Sequence, residues 1–231
     1  GREEMNFLHD SFRNAVLLIL SLDGEVYYAV WTSITVSIAS ALFASVIGIP
    51  LGMFIAISEF PLKRVVITVL NTLMALPTVV VGLAVYGFIS RQGPLGGLGL
   101  LFSPSAIIIG LTILALPIIT NYSLSSVKGG DSRILPTALT LGATSVQAHL
   151  KLLSEVRFGI LAAIIAGFGR VIGEVGIAMM LGGNIRGYTR TMTTAIALET
   201  SKGEFAFGLA LGIILMGVAL VVNIFLNILP N

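Results

Sequence analysis

Apolar residues run along this chain in long uninterrupted stretches separated by short polar breaks. A helix that crosses a bilayer needs about 20 apolar residues. Five stretches reach that length: Ala29 to Ser58, Val65 to Ile89, Ser105 to Val127, Phe158 to Leu181 and Phe205 to Leu229. None shows the period-two alternation of a strand, so the pattern predicts an all-α membrane protein. Ahead of the first stretch, Phe12 to Leu22 is too short to span and has charged flanks. It reads as an amphipathic helix lying in the membrane interface. Tyr27, Tyr28 and Trp31 follow it and suit the aromatic belt at a lipid boundary. The chain divides accordingly into residues 1–28, a polar segment with its interfacial helix, and 29–231, a membrane domain.

Breakers punctuate the stretches. Pro50 lies between Gly48 and Gly52, a Gly-x-x-x-Gly pair; Pro77 interrupts the second stretch and Pro117 the third. Such kinks serve inert bundles and transport pathways alike. Ser103 and Pro104 have the form of an N-cap and first helical residue opening the third stretch. The preceding Gly93 to Gly99 is a turn-rich connection without the Lys-Ser/Thr ending of a phosphate loop. The longest polar segment, Lys128 to Arg157, carries a helix opened by Pro136 and running through Ala143, then a second from about Val146 to Leu153. A short helix–turn–helix should therefore project from the membrane.

Composition supports the membrane assignment. The 231 residues are 56% hydrophobic and 10% charged, against about 25% charged in soluble domains. The 26 glycines suit close helix packing in lipid. Net charge is +2, and the scattered basic residues form no stripe for nucleic acid. No cysteine is present, which removes disulfide and thiolate chemistry. The polar residues Gly1 to Glu4 precede Met5, a candidate native start, and no signal-peptide pattern is visible.

Sidedness is weakly marked. With five spans, Lys63, Arg64, Lys128, Arg133, Lys151 and Arg157 share one side; Arg2, Arg13, Arg91, Arg186, Arg190 and Lys202 share the other. Setting aside the two in the N-terminal segment leans the Lys128–Arg157 segment toward the cytoplasm. The N-terminus is then external, and the C-terminus cytoplasmic.

Candidate chemistry is sparse. Arg170 and Glu174 lie four apart in the fourth stretch, on one helix face, where ionisable residues are costly. They read as a structural ion pair or as charges lining a pathway, with the structural reading favoured because a desolvated pair satisfies itself. Asn121 and Ser123 near the end of the third stretch, and Thr193 after the fourth, are polar groups that could hold an oxyanion weakly; solvation of helix ends is the favoured reading, because such residues are common there. No metal-ligand cluster, nucleophile elbow or Walker A motif is present, so neither catalysis nor a metal or other cofactor is expected.

The polar segment resembles the coupling motif of ABC importer permeases, which reads roughly Glu-Ala-Ala, then Leu-Gly-Ala, then Leu-Pro. Here it takes the form Thr137-Ala138-Leu139, Leu141-Gly142-Ala143, and Ser154-Glu155 in place of Leu-Pro. Ala166 to Gly176, Met179 to Asn184, Ala75 to Gly82 and Ser90 to Gly96 resemble the molybdate/tungstate permease group. Glu155 to Phe158 and Thr193 to Gly203 resemble its tungstate branch. This resemblance implies a five-transmembrane-helix, type I-like permease with no catalytic residues, working as a homodimer in the plasma membrane. It implies two cytoplasmic ABC ATPase subunits that bind ATP and grip a coupling helix at Pro136, Thr137, Ala138, Leu139, Leu141, Gly142 and Ala143. An extracytoplasmic binding protein would deliver tungstate, or failing that molybdate or sulfate.

Overall fold

The computed structural model describes the backbone of residues 2–228 and side chains from Phe7 to Ile228. Leu229, the expected end of the fifth span, lies outside the described residues. The order is α1 (Arg2–Leu20), α2 (Gly24–Ile57), α3 (Lys63–Met74), α4 (Thr78–Ile89), a short 3₁₀ turn (Gly96–Leu98), α5 (Pro104–Gly129), α6 (Ile134–Thr140), α7 (Ser145–Glu155), α8 (Arg157–Ile172), α9 (Gly176–Gly182), α10 (Met192–Lys202) and α11 (Phe205–Ile228). No strand occurs among the described residues.

Among the described residues, three helices are long and apolar enough to cross a membrane alone: α2 with 34 residues, α5 with 26 and α11 with 24. The other two expected spans are not single rods. The Val65–Ile89 stretch breaks at Ala75–Pro77 into α3 and α4, bent by 98°. Proline lacks the N–H that would continue the ladder, and the residue before it avoids helical dihedrals. The Phe158–Leu181 stretch breaks at Gly173–Val175 into α8 and α9, and α8 is itself bent by 71° from α7. Counting each bent pair as one crossing gives at most five. Pro50 and Pro117 behave differently, because α2 and α5 run through them.

The N-terminal helix is longer than expected. α1 covers Arg2–Leu20 and packs against α11, with Phe7 and Phe205 rings 5.7 Å apart. Asp23 then caps α2 by accepting from the backbone N–H of Glu25 and Val26 at 3.0 and 3.1 Å. The membrane helix thus begins at Gly24, inside the segment assigned to the polar N-terminus. Tyr27, Tyr28 and Trp31 are exposed on its first turns.

The core is built around α2 and α5, and α2 is packed inside out. Its buried face carries Ser33, Ser37, Ser40, Ala41, Ala44, Ser45, Gly48 and Gly52. Its exposed positions include Leu42, Phe43, Val46 and Phe54. Large apolar side chains gain nothing by burial when the surroundings are lipid, whereas small ones let backbones approach. The buried hydroxyls are satisfied locally: Ser40 and Ser45 donate to the carbonyls of Val36 and Ala41, each at 2.6 Å. The Gly48–Gly52 pair lies directly on α5. A Cβ on Gly52 would sit 2.5 Å from the Thr120 carbonyl oxygen, and one on Gly48 3.0 Å from the Thr120 hydroxyl.

Gly52→Val should therefore force α2 and α5 apart, costing about 2 kcal/mol or more, the usual scale of overpacking. Gly217→Ala in α11, where a Cβ meets open space, should stay within about 0.5 kcal/mol of wild type. Unfolding of the detergent-solubilised protein by circular dichroism checks both.

Candidate functional site

The polar segment after α5 folds into an elbow. Asp131 organises its start. Its carboxylate accepts from the backbone N–H of Arg133 at 2.9 Å and from the Arg133 guanidinium at 2.8 Å. Those hydrogen bonds hold the Asp131 carboxyl down to about 2. α6 follows, and Pro136 is tolerated as its third residue because the first turn's N–H groups have no partner within the helix. The helix expected over Pro136–Ala143 starts two residues earlier and ends at Thr140; Leu141, Gly142 and Ala143 form the turn. Gly142 has φ of +87°, a conformation glycine adopts without steric cost. Its N–H donates to the Leu139 carbonyl at 3.1 Å and that of Ala143 donates to the Ala138 carbonyl at 3.0 Å, the double bond pattern of a Schellman cap. Thr144 and Gln147 then form a capping box that starts α7.

The elbow is exposed at its tip and anchored at its base. Leu141 is 82% exposed, and Leu139 is also exposed. α6 packs on α7. Underneath, Leu152 of α7 joins Val127 of α5, Val156 and Ile160 in one buried cluster, against which Ile134 and the α2 residues Met53 and Ile57 also pack. The base of the elbow thus touches the ends of α2, α5 and α8.

Arg170 and Glu174 do pair, at 3.1 Å, although they do not share a helix. Arg170 lies in the last turn of α8, and Glu174 lies in the break before α9. Glu174 is 7% exposed and Arg170 38%. The other carboxylate oxygen of Glu174 accepts from the N–H groups of Gly176 and Ile177 at 3.0 and 3.4 Å, satisfying the start of α9. Thr193 donates from its hydroxyl to the Glu174 carbonyl at 2.8 Å, and Thr191 with Thr194 forms the capping box of α10. Ser123 is buried on α5 against Gly52 of α2. Asn121 donates to the Asn71 side chain at 2.7 Å, joining α5 to α3. The residues expected as polar pathway groups are thus spread over three separate helix contacts and form no single site.

A charged cluster has no counterpart in the sequence reading. Glu25 at the start of α2 pairs with both Arg186 and Arg190. Glu199 of α10 pairs with Arg190 at 3.5 Å and Lys202 at 2.9 Å. Arg190 is 7% exposed. Only the i,i+3 spacing of Glu199 and Lys202 is visible locally; Glu25 meets Arg190 across 165 residues.

A chain of the MetNI methionine ABC transporter, solved in inward-facing conformations, superposes with a TM-score of 0.68, covering 91% of this chain and 99% of that one at 16% identity. The fold is that of this ABC transporter chain. No family model matches the chain. The tungstate uptake permease TupB of Peptoclostridium acidaminophilum is 38% identical over 219 residues, 95% of this chain and 96% of that protein. A probable anion ABC transporter permease of Haloferax volcanii is 42% identical over 196 residues, 83% of this chain and 84% of that protein. The chain belongs to the ABC importer permease family that includes the tungstate uptake permeases.

Two outcomes follow from the site geometry. Glu174→Ala removes a helix cap and strands Arg170, and should cost about 2 kcal/mol. Glu174→Gln keeps an oxygen for the Gly176 N–H and should cost less. Uptake should fall only in step with folded protein; wild-type melting with lost uptake would instead assign the pair to the pathway. The Asp131 carboxyl has a folded-state value below its ordinary 3.8. Its contribution is present above 3.8 and is lost only as pH falls toward 2. Hydrogen exchange at this turn should show unchanged opening between about pH 5 and 8.

Proposed function

We propose that this protein is the membrane-spanning subunit of a tungstate importer, acting as a homodimer whose two copies enclose the translocation pathway. The observation that carries the proposal is the elbow at Ile134–Ala143: an exposed, glycine-capped turn tied at its base to three core helices. A cytoplasmic ATPase subunit that bears ATP grips each elbow, with Leu139 and Leu141 seated in an apolar groove of the ATPase. Closure of the ATPase pair on ATP pushes the elbows, and the cluster beneath passes the movement into α2, α5 and α8. The protein supplies no catalytic group. Its part is to convert a push at one membrane face into opening of a passage.

Support for tungstate comes from the relatives: the permease from Peptoclostridium acidaminophilum is named for tungstate uptake and aligns along nearly the whole chain. An extracytoplasmic binding protein hands over the anion, and the elbow side of the molecule is cytoplasmic. With the elbow inside, α1 and the α4–α5 connection face outward.

The test uses the permease reconstituted with its ATPase and binding protein. Leu141→Asp should fold and melt as wild type, because this side chain is almost wholly exposed. It should lower tungstate uptake at least about tenfold, the loss expected when a buried apolar anchor is replaced by a charge. Gly142→Asn, which tolerates a left-handed backbone, should retain more uptake than Gly142→Val. Wild-type uptake by Leu141→Asp would remove the elbow from the coupling path.

A further inference from the structure

On the face opposite the elbow, at the other end of α5, the α4–α5 connection lines an open pocket of about 520 Å³. Tyr86, Ser90, Arg91, Gln92, Gly99 and Phe102 are among its lining residues, and no Asp or Glu is. That sets it apart from the neighbouring basic residues of this face. Arg186, Arg190 and Lys202 are each paired with Glu25 or Glu199. Arg91 contributes a positive charge beside a hydroxyl, a phenol and an amide, all capable of donating to an anion.

The cavity wall is preorganised. The Phe88 and Ser90 carbonyls, which would repel an anion, accept from the N–H groups of Leu95 and Gly93 at 2.9 and 2.8 Å. Gly93 packs so closely on the Gly87 carbonyl that a Cβ there would collide with it, so the loop cannot be built this tightly with another residue. At its far end the Phe102 N–H donates to the Leu181 carbonyl at 2.9 Å, tying the loop to α9. A pocket whose lining holds one guanidinium, several neutral donors and no carboxylate suits a tetrahedral dianion that must be held and then released.

We infer that this pocket is a receiving site for the oxyanion on the face opposite the elbow, with Arg91 as its charged anchor and Ser90, Gln92 and Tyr86 as neutral donors. The inference rests on the import reading above. It places the anion's first contact with the permease, on release from the binding protein, before any step in the passage.

The permease–ATPase complex, purified in phosphatidylcholine vesicles, is titrated with sodium tungstate by calorimetry, and uptake from the loaded binding protein is measured in parallel. Arg91→Gln should weaken tungstate binding roughly tenfold, the scale of one charge-assisted hydrogen bond. Arg91→Lys should recover part of it, with melting unchanged in both because Arg91 is exposed. Equal tungstate affinity in wild type and Arg91→Gln overturns the site. So does a wild-type complex that imports tungstate yet gives no binding signal. Titration with phosphatidylglycerol vesicles that is sensitive to Arg91, while tungstate binding is not, would assign the pocket to a lipid headgroup and equally overturns it. A wild-type complex that imports no tungstate defeats the import reading instead, and calorimetry on that complex still decides the pocket.

Discussion

The structure depends on the close approach of α2 and α5 through small residues. Lipid offers no reward for burying leucine, so the chain spends its large side chains outward and keeps Ser, Ala and Gly inside. Gly52 against the Thr120 carbonyl marks the closest contact. Buried serines donate back to carbonyls four residues earlier on their own helix, which leaves few polar groups wanting. Ser123, whose hydroxyl has no partner among the described residues, sits at that same seam. Much of the bundle is arranged about this pair: α3 and α4 on α5, α8 against both, and α11 with α10 closing the side.

The broken helices have a common logic. Each break exposes backbone groups that lipid cannot satisfy, so each must be answered by the protein. At Gly173–Val175 the answer is Glu174, whose carboxylate serves the first N–H groups of α9 while its other oxygen holds Arg170. Thr193 then fastens the backbone of the break from α10. A carboxylate at this depth is therefore doing structural work that a lining charge would not need to do. The Glu25–Arg190–Glu199 cluster performs a comparable task where α2, α10 and the preceding loop meet.

Much of this was legible in the sequence. Long apolar runs and scarce charge identified a helical membrane protein, Ser103–Pro104 opened α5 as expected, and the resemblance over Leu141–Ala143 pointed to a family that the relatives bear out. Hydropathy could not separate a straight span from a bent one, because α3 with α4 is nearly as apolar as a continuous helix; only Pro77 hinted at the 98° bend. The i,i+4 spacing of Arg170 and Glu174 found the right pair for the wrong reason, since the helix ends between them. Glu25 with Arg190 was beyond reach, because their meeting depends on how distant segments pack. The α6 boundary slipped because a proline is acceptable anywhere in a first turn, not only at its first position.

The central claim is that the Leu141–Gly142 tip is where force enters the bundle. The chain contains no cysteine, so Leu141→Cys places one thiol at that tip. A short bifunctional cross-linker applied to membranes holding the assembled transporter should join this thiol to the ATPase subunit, with a yield that changes when ATP is added. A thiol that labels freely with a soluble maleimide, yet never cross-links to the ATPase in either state, would contradict the account.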